Sequence, residues 1–165
     1  MEARRVLAVA AATRGVGYVV LIEGQLVEWG VSRKAWESPV HTAETLQQWI
    51  DDYEPTMIIT EKINSDSKKG KKARRLTATI AAIASHNYAY DVSVPINRSG
   101  KNRFAYAVAL ADIYPDVKPR LPRSHAWYDP APRNLLIFDA LALAHSVLTG
   151  PTLAFAANMD TPSDQ

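Results

Sequence analysis

The sequence predicts an α/β fold: a five-stranded mixed sheet with helices on both faces. Three observations carry that class. Residues 5–31 hold three consecutive strand-like runs joined by short turns, the opening of an antiparallel meander. Beyond residue 41, helical and strand-like segments alternate. The last of them, Asn134 to Ala144, is apolar almost all round, which marks a helix buried against a sheet.

Arg5 to Ala12 is a nearly continuous run of small apolar side chains, the pattern of a central strand covered on both faces. Thr13-Arg14-Gly15 breaks it, and Val16 to Ile22 forms a second strand. Glu23-Gly24 supplies a tight turn, and Gln25 to Val31 returns as a third strand with Val27, Trp29 and Val31 on one face. His41 to Tyr53 predicts the first helix, with Thr42 as its N-cap and Leu46, Trp49, Ile50 and Tyr53 as its apolar stripe. Met57 to Glu61 is a short apolar strand that ends in a carboxylate. After a basic loop, Leu76, Ile80 and Ile83 mark a second helix reaching His86. Asp91 to Ile96 is the fifth strand, and Lys101 to Tyr114 is a third helix stopped by Pro115. Lys118 to Pro132 holds four prolines and no periodicity, so a loop is expected before the Asp139 helix.

The chain has 165 residues, 47% hydrophobic and 22% charged, which suits one globular domain over residues 1–150 with a flexible tail over 151–165. No apolar run is long enough to cross a bilayer, and the N-terminus lacks the apolar core of a signal peptide, so a cytoplasmic protein with no membrane partner is expected. The absence of cysteine excludes disulfides, thiolate metal sites and a cysteine nucleophile.

Two acids and one basic run stand out. Asp139 lies in the middle of the all-apolar helix, and an ionised carboxylate is costly to bury alone. It faces a cation, a metal or a water-filled cleft, is protonated, or bonds a backbone group or Arg133. Glu61 ends the fourth strand, and ends of central strands line the crevice of an open α/β sheet. Two converging carboxylates suit magnesium or manganese; the plainer alternative is a strand-end acid paired with Lys62 or solvent. Lys68, Lys69, Lys71, Lys72, Arg74 and Arg75 fall within eight positions at the start of the second helix. Cations oppose the helix dipole there, so the cluster makes sense around a phosphate; otherwise it is a solvated loop. On the phosphate reading, Arg14, Lys101 and Arg103 would extend the same surface as candidate nucleic-acid contacts. Tyr18 and Trp29 read as packing residues, and the four histidines are scattered.

Several fragments, in order, resemble the RuvC-type Holliday junction resolvases of the RNase H-like superfamily. Val6 to Tyr18 resembles that family's opening strand, turn and strand. Ile58-Ile59-Thr60-Glu61 resembles its fourth-strand glutamate, Gly100-Lys101 its basic loop before a helix, and Asp139-Ala140-Leu141-Ala142-Leu143-Ala144 its closing helix. The resemblance implies a magnesium- or manganese-dependent endonuclease acting on branched DNA as a homodimer, with Glu61 and Asp139 as catalytic metal ligands. The departures are equally specific. Ala10 stands where the family has the aspartate shared by two metals. Leu136 replaces an acid or histidine, and Asn64 replaces an aromatic.

Three functions therefore fit. The first is a RuvC-like protein that binds branched or duplex DNA, or RNA, with nuclease activity lost or strongly reduced and any magnesium or manganese held weakly. The second is a working nuclease with a substitute ligand such as Asp66 or a substrate phosphate. The third is a protein-interaction scaffold on the same fold.

Overall fold

The computed structural model describes residues 3–65, 67–123 and 132–150. Five strands form one sheet: β1 (Arg5–Ala12), β2 (Gly15–Ile22), β3 (Gln25–Ser32), β4 (Met57–Glu61) and β5 (Tyr90–Val94). Their order is β3-β2-β1-β4-β5, so the small-apolar run is the central strand. β1 is antiparallel to β2 and parallel to β4, and β4 is parallel to β5. The sheet is mixed, as expected from a meander followed by crossover connections.

Four helices cover the two faces: α1 (Pro39–Tyr53), α2 (Lys71–Ser85), α3 (Arg103–Ile113) and α4 (Leu135–Thr149). Side chains alternate along β1. Val6, Ala8 and Ala10 pack with α3 and α4, while Leu7, Val9 and Ala11 pack with α1 and α2. α4 is apolar almost all round because it is buried between the sheet and α3, with Leu135 to Ala144 all buried. Its first turn presses directly onto β2. A Cβ added at Gly17 would lie 2.5 Å from the Leu136 carbonyl oxygen, so only glycine fits beneath the helix. Ala10 is the cross-strand partner of Gly17, and this small pair makes room for α4.

Three local expectations change. α1 starts earlier than His41, because Ser38 is the N-cap and its hydroxyl accepts the His41 N–H at 3.2 Å. Thr42, read as the cap, is instead buried in the first turn, where its hydroxyl donates to the Ser38 and Ala35 carbonyls. Pro115–Arg120 forms a 3-10 turn where the loop was expected to begin. The tail over 151–165 and His125 lie outside the described residues.

Candidate nucleic-acid interface

β1 and β4 run parallel and end side by side, with Val9 paired to Thr60. Glu61 therefore emerges at the carboxyl end of the sheet. It lies two residues beyond Ile59 and so shares the face of Ala8, Ala10 and α4. α4 crosses that face and delivers Asp139 to the same end. Both acids line one open cavity of about 680 Å³, together with Ala12, Asn64, Lys68, Lys69, Arg98 and Arg103. Ala10 does not line it. It is sealed in the core beneath α4, and Ala12, two residues further along the same face, is the β1 residue that reaches the cavity.

Each acid already has cationic partners. The Asp139 side chain is 7% exposed. Its Oδ1 accepts from Arg98 Nη2 at 3.1 Å and from Arg103 Nε at 3.2 Å, and its Oδ2 accepts from Arg103 Nη2 at 2.6 Å. Arg103 thus forms a two-pronged fork on the carboxylate, the strongest common pairing of these groups. Of the alternatives open for Asp139, a cation is the one found, and Arg103 and Arg98 fill that place rather than Arg133. Glu61, 9% exposed, pairs with Lys69 rather than Lys62, and the same ammonium donates to the Ala11 carbonyl at 2.8 Å. Lys69 thereby ties the basic loop to the ends of β1 and β4.

The basic run divides by role. Lys69 turns inward. Arg74 also turns inward, with Nε donating to the Lys69 carbonyl at 3.0 Å and Nη2 to the Ser67 carbonyl at 2.6 Å, so it braces the loop rather than offering a free charge. Lys68, Lys71 and Arg75 are exposed, and Lys72 lies over the Trp36 ring at 4.1 Å from its centroid. The N-terminus of α2 opens on the same cavity. Its N-cap, Gly70, offers no side-chain cap and has open space where a Cβ would be. Arg14 and Arg103 line an adjoining cavity of about 210 Å³ with Arg133, Pro132 and Leu136. Lys101 is exposed but outside both cavities. Tyr18 packs on Trp49 with ring centroids 4.2 Å apart, as a packing residue should.

Arg98 is the site residue that sequence reasoning missed. It precedes Ser99 and Gly100, both with positive φ, in the turn leading to α3. That turn aims Arg98 back at a helix 41 residues away in sequence, and no local pattern announces such a pairing.

No family model and no curated protein matches the sequence. Solved structures do. The Holliday junction resolvase of fowlpox virus superposes with a TM-score of 0.58 at 15% identity, over 87% of this chain and 97% of that one. The RuvC structure of Thermus thermophilus superposes with a TM-score of 0.58 at 15% identity, over 95% of this chain and 97% of that one. This chain has the RuvC fold. T. thermophilus RuvC in complex with a Holliday junction substrate also matches, with a TM-score of 0.54 at 15% identity over 96% and 97% of the two chains.

The divalent ions implied by a RuvC-type nuclease do not fit the described residues. Magnesium and manganese take oxygen ligands, and a two-metal centre needs one held between both ions. Here Ala10 is a buried methyl, Leu136 is apolar, and Glu61 and Asp139 are committed to Lys69 and to the two arginines. Among the described residues, no three histidine, aspartate or glutamate side chains converge to hold a metal ion. Asp66, a candidate substitute ligand, lies outside the described residues. On this RuvC fold the cleft is a place of fixed positive charge.

Proposed function

We propose that this chain is a RuvC-fold protein that binds branched or duplex DNA through phosphate contacts and has lost all or nearly all metal-dependent cleavage. The observation that carries the reading is the pairing of both cleft acids with protein cations. A magnesium or manganese ion could enter only by displacing Lys69 or the arginines, so it would bind weakly. The cations at the cleft suit a polyanion. Lys68 lines it beside the inward-facing Lys69, Arg98 and Arg103, and Arg14 lines the adjoining cavity. Lys71, Lys72 and Arg75 lie at the start of α2, whose N-terminus opens on the cleft, with Lys101 exposed just before α3. Contacts of this kind give affinity without sequence preference, and they extend to RNA. The structural neighbours include resolvases of T. thermophilus and fowlpox virus in complex with Holliday junctions, which favours branched DNA as the ligand. A homodimer would present two clefts related by a two-fold axis, matching the symmetry of a four-way junction.

The test is a labelled four-way junction offered to the chain, to its Ala10→Asp variant and to an Asp139→Asn control, with magnesium or manganese. The chain should shift the junction in a salt-dependent manner and leave it uncut. Ala10→Asp should recover at most traces of cleavage, because Lys69 and the arginines still occupy the acids. Robust cutting by the unaltered chain that disappears in the Asp139→Asn control overturns the proposal and promotes the substitute-ligand nuclease. Absence of salt-dependent binding to any nucleic acid promotes the scaffold.

A further inference from the structure

We propose that Lys69, Arg98 and Arg103 form a metal-independent phosphate site that takes one phosphodiester of the bound nucleic acid into the cleft. This rests on the DNA-binding reading above and gives it a place and a chemistry. All three cations and both acids line the same cavity. The acids lie deepest, at 7% and 9% exposure, and the cations lie above them, at 22% for Lys69 and 30% for each arginine. Three cations over two carboxylates leave one net positive charge, which complements the single negative charge of a phosphodiester.

The donors left over decide the ligand class. A guanidinium has five N–H groups and an ammonium three. Arg103 commits Nε and Nη2 to Asp139, and Arg98 commits Nη2. Lys69 commits two N–H groups, to Glu61 and the Ala11 carbonyl. Each cation therefore keeps donors beyond those its carboxylate uses, beside a cavity wide enough for a phosphate and its sugar. Because the acids hold these side chains in place, little rotamer freedom remains to be lost when an anion arrives. Such preorganisation gives Asp139 and Glu61 a positioning role in place of metal ligation.

The test compares two variants with the same change in net charge. In the first, Glu61→Gln, Lys69→Gln, Arg98→Gln, Arg103→Gln and Asp139→Asn are combined, so no buried charge is left without its partner. In the second, Arg33→Gln removes one exposed cation that makes no ion pair among the described residues. Binding to a fluorescent four-way junction is titrated in EDTA and in magnesium at matched ionic strength. The unaltered chain should bind equally in both within about twofold, and Arg33→Gln should weaken it by less than about twofold. The combined variant should bind about tenfold more weakly, about 1.4 kcal/mol. Its log–log salt slope should fall by about one unit, as for one lost phosphate contact. If the combined variant fails to fold by circular dichroism, Arg98→Lys with Arg103→Lys carries the test. Charge then stays and the forked donors go, so affinity should fall about fivefold at an unchanged slope.

Either of two results overturns the cluster: variants that bind as Arg33→Gln does, or affinity of the unaltered chain that collapses in EDTA. A chain that binds no junction in either buffer defeats the DNA-binding reading itself, and the two failures are thereby told apart.

Discussion

Asp139→Asn lowers stability in an ion-paired cleft but not in an empty metal site. Asparagine keeps the size of the side chain and removes its charge. In the structure this carboxylate is nearly inaccessible and accepts three N–H bonds from two guanidinium groups. Asparagine has one carbonyl oxygen, and its amide N–H groups would face the arginine donors. Removing one member of a buried pair costs about 3–5 kcal/mol. Arg98 and Arg103 are each 30% exposed, so water recovers part of that loss, and about 2–3 kcal/mol is expected. For a chain of this size, each kcal/mol moves Tm by about 2–4 °C, so Tm should fall by about 4–12 °C. A metal site stripped of its ion behaves differently. Its crowded carboxylates repel, so removing one charge leaves Tm unchanged or raises it, and stabilisation by magnesium disappears. The assay is thermal denaturation by circular dichroism in EDTA and in magnesium. It compares the unaltered chain, Asp139→Asn, and the double variant Arg103→Gln with Asp139→Asn, which should recover about half the loss. An unchanged or raised Tm for Asp139→Asn in EDTA, with a magnesium-dependent rise in the unaltered chain, would refute the ion-pair reasoning.

Gly17→Ala should cost about 2–3 kcal/mol in urea denaturation, because its Cβ would meet the Leu136 carbonyl at 2.5 Å; a neutral result would mean that α4 does not rest on β2. Lys71→Gln, Lys72→Gln and Arg75→Gln together should weaken junction binding for all sequences alike and lower the salt slope by about one unit per lost phosphate contact. Arg74 is left out of that set because it braces the loop, and Arg74→Gln should show mainly as lost stability in a thermal melt. The fourth prediction concerns pH. Burial holds the His145 imidazole below its ordinary value of 6.5, and its Nδ1 shares a 2.9 Å hydrogen bond with the Tyr114 hydroxyl. The unfolded chain therefore takes up this proton at a higher pH than the folded one. The stability is full above 6.5, declines as pH falls below it, and levels off once the folded form is also protonated. Urea midpoints measured on either side of that value should differ by less in His145→Asn.

Local patterns in the chain determined the architecture. The nearly uninterrupted small-apolar run over residues 5–12 reads best as a strand covered on both faces, and it is the central one. The stripe of Leu46, Trp49, Ile50 and Tyr53 places α1 against the sheet, and the all-apolar sequence after Asn134 demands burial of α4. These features are runs or repeats along the chain itself, so they are readable without knowing what lies opposite. The same logic marked Asp139 as a carboxylate that needs a partner, a water-filled cleft or a proton. Only the tertiary structure decided which one, because Arg98 and Arg103 lie 41 and 36 residues away along the chain. Six like charges in one run also look equivalent in sequence. Folding separates them by direction, with Lys69 and Arg74 held inward by acceptors on neighbouring segments and Lys71 and Arg75 left in solvent. Ala10 reads in the sequence as a missing ligand, and only the fold adds that it is a small side chain sealed with Gly17 beneath α4. Backbone periodicity is a local property that the sequence carries in full. The charge of a cleft depends on which side chains from distant segments meet there, and that is settled only when the sheet brings the strand ends together.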